Sequence, residues 1–132
     1  MDITPGGIPW QSFYKLMTGT IVPRPIGWVS TVDEAGRFNL APFSFFNAVC
    51  SNPPTLLFCP AIRARTGQPK DTLHNVRTTG QFVVNIVTEA TAEAMNLTAA
   101  ELPPDVDEFA YTGLTPIPSF TVKAPRVLES PV

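Results

Sequence analysis

The segment of residues 24–48 constrains the fold more than any other part of this chain. Its first part, residues 26–32, is apolar and follows two prolines, which is typical of a β-strand and excludes a helix. Residues 33–36 fit a tight turn, because Gly36 can adopt positive φ without strain. In the second strand the apolar side chains change phase at Ala41 and Pro42. A β-bulge there is the prediction, since proline cannot donate to a sheet ladder.

The rest of the chain predicts short strands with helices in their connections. The residues 55–59 are apolar throughout, which predicts a strand buried on both faces. Asp71 is predicted to cap a helix that Gly80 closes. Six strands at most, with α additions, predict a mainly β fold built as one small barrel domain over residues 1–132. The predicted helices are residues 9–17, 72–79 and 88–100, and the further strands are residues 82–87, 120–122 and 127–132.

The composition excludes several classes of function. A net charge of −2, with both signs interspersed, predicts no nucleic-acid or membrane partner. No apolar run is long enough to span a bilayer, so the expectation is a soluble cytoplasmic protein with two free cysteines. A single histidine and the absence of a GxSxG motif argue against a zinc site and a catalytic triad. Rossmann and P-loop glycine motifs are also missing.

Two segments carry polar groups that suit a phosphate. Ser44 follows the predicted bulge, where the backbone amides of residues 45–47 would be free of the ladder. Lys70 precedes a helix start, although Asp71 as N-cap would occupy the first amides with its own carboxylate. Lys70 and the Thr72 hydroxyl are therefore better candidates than the helix terminus. Taken singly, each residue is more often an ordinary structural one.

The combination of motifs is more specific than any one of them. The sequence contains RPIGWVST, then D-x-x-G-x-x-NLAPFSFFNAV, an NPP turn, KDT-x-x-N and the strand GQFVVNIV. In order and spacing these resemble the flavin reductase-like family, whose members bind FMN in a split β-barrel. The resemblance covers residues 14–85, with weaker agreement through residues 125–131.

The resemblance implies a flavoprotein that passes electrons from NAD(P)H through FMN to an acceptor. FAD is a possible alternative cofactor, and family members are usually homodimers. In such proteins the Ser-Phe-Phe-Asn and Lys-Asp-Thr segments hold the phosphate and ribityl chain, while the arginine before Pro-Ile and the Val-Ser-Thr strand lie against the ring. No catalytic side chain or metal ligand is implied. The cofactor-binding residues implied here are Arg24, Ser30, Thr31, Ser44, Phe45, Phe46, Asn47, Lys70, Asp71 and Thr72.

One departure from the family pattern leaves alternatives open. Family members run well past the Glu-Ser-Pro motif, whereas this chain ends at Val132, so the expectation is a barrel whose C-terminal part is missing. Three hypotheses follow: an FMN-dependent reductase, a flavin-binding electron carrier without its own nicotinamide step, or a barrel fragment that no longer binds flavin. Two further interpretations are that Arg63 more often faces solvent, although it could reach a phosphate, and that residues 105–108 form a solvated acidic loop.

Overall fold

The computed structural model describes residues 2–4, 6–63, 66–103 and 105–132. The described strands are β1 (Gly27–Val32), β2 (Phe38–Phe43), β3 (Phe46–Ser51), β4 (Pro54–Phe58), β5 (Val83–Asn85), β6 (Pro116–Ile117) and β7 (Arg126–Val127). They form a three-stranded sheet in the order β2-β1-β5 and two antiparallel pairs, β3-β4 and β6-β7. The described helices are α1 (Trp10–Thr20), α2 (Asp71–Thr79), α3 (Ala92–Leu97) and α4 (Glu108–Thr112), with a 3₁₀ turn at Glu89–Thr91.

Strand β1 is the centre of the molecule, and all six of its residues are buried. It pairs antiparallel with β2 in an unbroken register from Gly27 opposite Phe43 to Val32 opposite Phe38. The predicted bulge at Ala41 and Pro42 is therefore wrong. The apolar phase changes because the chain leaves this sheet after Phe43 and enters the β3-β4 hairpin. Since β2 is an edge strand, Pro42 is tolerated within it.

A small core lies between the β1-β2 hairpin and the C-terminal half of the chain. The indole of Trp28 is fully buried, and its Nε1–H donates to Thr98 Oγ1 at 2.9 Å. Phe109 of α4 belongs to this core, although no helix was predicted from the sequence for these residues. The helix escapes pattern analysis because it is only five residues long. The buried members of the core are Trp28, Leu40, Phe109, Leu114 and Val127.

The β3-β4 hairpin is exposed, so the prediction of a strand buried on both faces is wrong. Val49 is 52% exposed, Leu56 49% and Leu57 41%. An apolar run indicates that a strand is covered, but it does not say whether its own chain or another one covers it. The irregularity in this hairpin lies between Ala48 and Cys50.

The ends of several other helices and strands also differ from the sequence prediction. Helix α1 runs to Thr20, three residues beyond the end predicted at residue 17. Helix α2 ends as predicted, at Gly80 with φ of 67°. The helix predicted for residues 88–100 is the 3₁₀ turn followed by the short α3, and the last two predicted strands are displaced to the two-residue β6 and β7. None of the helices in the described ranges is long and apolar enough to cross a membrane.

The start of β1 allows no side chain, which gives a first prediction. A Cβ on Gly27 would lie 2.6 Å from Cδ2 of Phe46. This ring atom is close to the Phe46 backbone, so it cannot move away easily. We expect Gly27→Ala to lower the free energy of unfolding by about 1–3 kcal/mol through overpacking. Gly19→Ala is the matched control, because a Cβ added to Gly19 would meet nothing within 4 Å and alanine favours a helix. Urea unfolding of both variants tests this, and equal stability would contradict it.

Candidate functional site

A small cleft opens between β2, the start of α2 and the connection from α3 to α4. We call it the Lys70 cleft, and its volume is about 50 Å³. It is polar and carries both signs of charge. Its lining residues are Asn39, Ala41, Pro42, Arg63, Lys70, Asp71, Thr72, Thr98, Ala99, Ala100, Glu101, Leu102 and Glu108.

Lys70 brings a cation to the end of this cleft nearest the predicted flavin segment. Its Nζ lies 5.7 Å from the centroid of the Phe43 ring, and Phe43 immediately precedes Ser44. Within the part of the chain that the structure describes, Lys70 forms no ion pair. Its ammonium is therefore available to an anion.

Asp71 does not cap α2, contrary to the sequence prediction. The N-cap residue is Lys70, and no side chain caps the helix. The Asp71 carboxylate instead accepts a hydrogen bond from Nη2 of Arg63, so Arg63 does not simply face solvent as expected. This ion pair removes the predicted competition between the Asp71 carboxylate and an anion at the first turn of α2.

Thr72 is held by an asparagine of β2. Its side chain is nearly fully buried, and its Oγ1 accepts a hydrogen bond from Nδ2 of Asn39 at 2.9 Å. One turn later, Nδ2 of Asn75 donates to Thr31 Oγ1 at 3.1 Å. These two bonds fix the start of α2 against the sheet, and they set the position from which Lys70 extends.

Glu108 is the site residue that the sequence interpretation missed. It is 8% exposed and lines the Lys70 cleft, whereas a solvated acidic loop was expected for residues 105–108. Its Oε2 accepts from the backbone N–H of Leu40 at 3.1 Å. Burial is the main reason that its carboxyl pKa is raised, and nearby Asp71 and Asp107 raise that pKa further. One sequence signal could have identified it: Asp107 is a typical N-cap residue and Gly113 a typical C-cap residue, and together they indicate a short helix between them.

Ser30 and Thr31, two neighbouring residues of β1, are both fully buried. The Ser30 hydroxyl donates to the carbonyl of Pro125 and accepts from Nδ2 of Asn85 at 3.1 Å. The Thr31 hydroxyl is engaged by Asn75. Both predicted cofactor residues are thus occupied by bonds within the protein, which suits a supporting role better than direct contact.

Arg24 lies against the corner where the chain passes from β2 to β3. Its guanidinium carbon is 5.7 Å from the centroid of the Phe45 ring, and Nη1 donates to the Thr18 carbonyl at 3.1 Å. Its Nε is buried and has no hydrogen-bond partner among the described residues. A buried donor without a partner is costly, so this atom is suited to an acceptor on a bound molecule.

The remaining predicted residues form this same corner. Phe45 packs edge-on against Tyr14, with ring centroids 6.1 Å apart. Phe46 packs over Gly27, and Asn47 is exposed opposite Leu57 in the β3-β4 hairpin. Ser44 is half-buried between Phe43 and Phe45. The structure therefore brings Lys70 and Arg24 to the aromatic residues on either side of Ser44 in the chain.

The buried carboxyl of Glu108 gives a prediction about stability. Because its folded pKa is raised, it stabilises the fold fully only below its unfolded pKa, and that contribution is lost as pH rises through the folded pKa. Glu108→Gln keeps an oxygen for the Leu40 N–H but carries no charge. We expect the variant to melt about 3 °C higher than the wild type at pH 8, with the difference shrinking towards pH 5. Melting curves at both pH values test this; an equal or lower melting temperature at pH 8 would contradict it.

These features define a class of protein: a small split β-barrel domain of the flavin reductase-like type. The chain belongs to the family described as "Flavin reductase like domain", whose model matches residues 18–132. This confirms the family and the fold class that the sequence motifs indicated.

Known relatives support the assignment. The chain is 50% identical over 122 residues to an uncharacterised protein of Aquifex aeolicus strain VF5, covering 92% of this chain and 62% of that protein. It resembles the crystal structure of nitrilotriacetate monooxygenase component B from Bacillus cereus with a TM-score of 0.90 and 41% identity, over 98% of this chain and 63% of that one. The Pseudomonas fluorescens 2-nitrobenzoate 2-nitroreductase NbaA aligns with a TM-score of 0.82 and 34% identity, over 99% of this chain and 61% of that one. This chain thus spans about three fifths of the length of these relatives.

Proposed function

We propose that this chain is the FMN-binding part of an oxidoreductase that passes electrons from NAD(P)H through the flavin to an acceptor. The observation that carries the proposal is the pair of cations around Ser44. The Lys70 ammonium lies over Phe43, and the Arg24 guanidinium lies over Phe45. A phosphate dianion seeks cations and hydroxyls of this kind. Membership of the flavin reductase-like family supports the same cofactor.

The predicted residues divide into three roles in this proposal. Lys70 and Ser44 hold the phosphate, helped by the amides at the corner between β2 and β3. Arg24 uses its buried Nε to donate to the ribityl chain or the ring. Three residues position these contacts from behind: Thr72 through Asn39, Thr31 through Asn75, and Ser30 through Asn85.

The remaining residues shape the pocket. Phe45 and Phe46 provide an apolar wall beside the cofactor, and Asn47 offers amide groups at its exposed edge. Asp71 neutralises Arg63 and so leaves Lys70 as the unpaired cation of the cleft among the described residues. The chemistry of accepting a hydride from NAD(P)H and passing the electrons on would come from a bound flavin, so the protein would need no acid, base or metal of its own for that chemistry. Orientation and exclusion of water are the tasks left to these side chains.

We propose further that the protein works as a homodimer in the cytoplasm. The support for a dimer is the exposed apolar β3-β4 hairpin, with Val49, Leu56 and Leu57 each at least 41% exposed. This hairpin directly follows the corner that carries Ser44, so a second subunit there would cover the cofactor. Cys50 and Cys59 are both free and exposed, which fits a reducing compartment.

The test is a titration of the purified apoprotein with FMN, followed by anaerobic mixing with NADH or NADPH. We expect the flavin fluorescence to be quenched on binding, and the visible absorbance of the bound flavin to be lost when the nicotinamide is added. Titration of bovine serum albumin in the same buffer controls for nonspecific quenching.

Each failure has a distinct meaning. If FMN does not bind, the chain is a barrel fragment without cofactor and the proposal is wrong. If FMN binds but neither nicotinamide reduces it, the chain is a flavin-binding electron carrier and the reductase step is wrong.

A further inference from the structure

The Lys70 cleft has a basic end and an acidic end, and strand β2 runs between them. At one end the Lys70 ammonium lies over Phe43. At the other end the Glu108 carboxylate accepts the N–H of Leu40. Leu40 and Phe43 are three positions apart along the strand, a distance of about 10 Å. A phosphate bound at Lys70 would therefore share this cleft with the Glu108 carboxylate.

The acidic end is not neutralised within the described residues. Asp71 is paired with Arg63, but Glu108 has no cationic partner there, and the donor that its carboxylate accepts from at Leu40 is a neutral backbone N–H. Glu101 also lines this cleft. A second negative group placed beyond Lys70 would therefore meet uncompensated carboxylates in a partly buried site, where repulsion is poorly screened.

The volume available next to the Lys70 cleft does not by itself exclude a larger ligand. A second cleft of about 460 Å³ adjoins the first, between the β1-β2 hairpin, α2 and the segment before α4. The two clefts share Asn39, Asp71 and Glu108, which stand where one passes into the other. A ligand extended from the first cleft into the second would pass these two carboxylates.

We propose that Glu108 is a specificity residue that makes this site select FMN over FAD. The inference rests on the proposed function, because it takes the cofactor phosphate to lie at Lys70. FMN ends in a single phosphate, which the basic end accommodates. FAD carries a second phosphate and an adenosine beyond the first, and these would be driven against the Glu108 carboxylate. Glu108 excludes the dinucleotide by repulsion, while its bond to Leu40 holds it in place.

The experiment compares FMN and FAD binding to the purified chain, its Glu108→Gln variant and a Glu93→Gln control. Glu93 is an exposed residue of α3 outside both clefts, so the control removes the same charge elsewhere. Flavin fluorescence is titrated at pH 8 and at low salt. We expect the wild type and the control to bind FMN about tenfold more tightly than FAD. In Glu108→Gln the FAD affinity should rise about tenfold, with FMN changing less than about threefold.

The outcomes separate this inference from the proposed function. FMN binding with an unchanged FMN-to-FAD ratio in Glu108→Gln overturns the role of Glu108 and leaves the flavin proposal standing. Equal affinities of the wild type for FMN and FAD also overturn the role of Glu108 and leave the flavin proposal standing. Failure of the wild type to bind either flavin overturns both. Circular dichroism of the variant checks its fold, and equal wild-type affinities for FMN and FAD overturn the inference whether or not the variant folds.

Discussion

Replacing Asn85 with alanine should lower the free energy of unfolding by about 3–4 kcal/mol, a large part of the stability of a domain this size. The Asn85 side chain is fully buried. Its Nδ2 donates to the Trp28 carbonyl at 3.1 Å and to Ser30 Oγ at 3.1 Å, and its Oδ1 accepts from the Val127 N–H at 2.9 Å. Alanine would leave these groups buried without their partner and open a cavity beside β1, and both effects destabilise.

Chemical denaturation measures this effect, with Asn96→Ala as the control. Asn96 is an exposed residue of α3, and its replacement should change the unfolding free energy by less than about 0.5 kcal/mol. The Asn85 variant should also loosen the C-terminal segment, because the Asn85 amide group links Val127 directly to β1. Amide hydrogen exchange at Val127 should become faster. A loss of stability no larger than that of the Asn96 variant would contradict the assignment.

Local signals explain which parts of the fold could be predicted. The β1-β2 hairpin was predictable because one turn and two adjacent strands carry the whole pattern, and Asp33 closes the turn by accepting from the N–H of Ala35 at 2.9 Å. The change of apolar phase at Pro42 was also visible, but its cause was not. A bulge and a corner between two sheets give the same one-dimensional pattern, and only the long-range pairing of β3 with β4 distinguishes them.

The site was predictable to a similar degree. Lys70 and the Ser44 segment were found from their order in the chain, and the structure places Lys70 beside Phe43, the neighbour of Ser44. Glu108 was not found, because its role depends on a hydrogen bond to Leu40, 68 residues away in the chain. An acidic cluster in a proline-rich segment is ordinarily solvated, and no local feature reveals that one of its carboxylates is buried.

Lys70→Ala should weaken FMN binding by about 10–100-fold and change riboflavin binding by less than about threefold, because riboflavin has no phosphate. The Lys70 ammonium is the cation of its cleft that forms no ion pair within the described ranges, since Arg63 is engaged by Asp71. Removing it deprives a phosphate dianion of its nearest counter-charge while leaving Arg24 and the apolar wall in place.

Titrations of both flavins into the wild type, Lys70→Ala and Lys15→Ala measure this difference. Lys15 is an exposed residue of α1 outside the Lys70 cleft, so its loss should leave both affinities unchanged. The affinity of the wild type for FMN should fall with added salt more steeply than that of Lys70→Ala, since one charge contact is missing from the variant. Equal weakening of FMN and riboflavin would mean that Lys70 supports the fold of the corner rather than the phosphate. The phosphate would then have to lie with Arg24 on the far side of Ser44, where the guanidinium above Phe45 is the remaining cation.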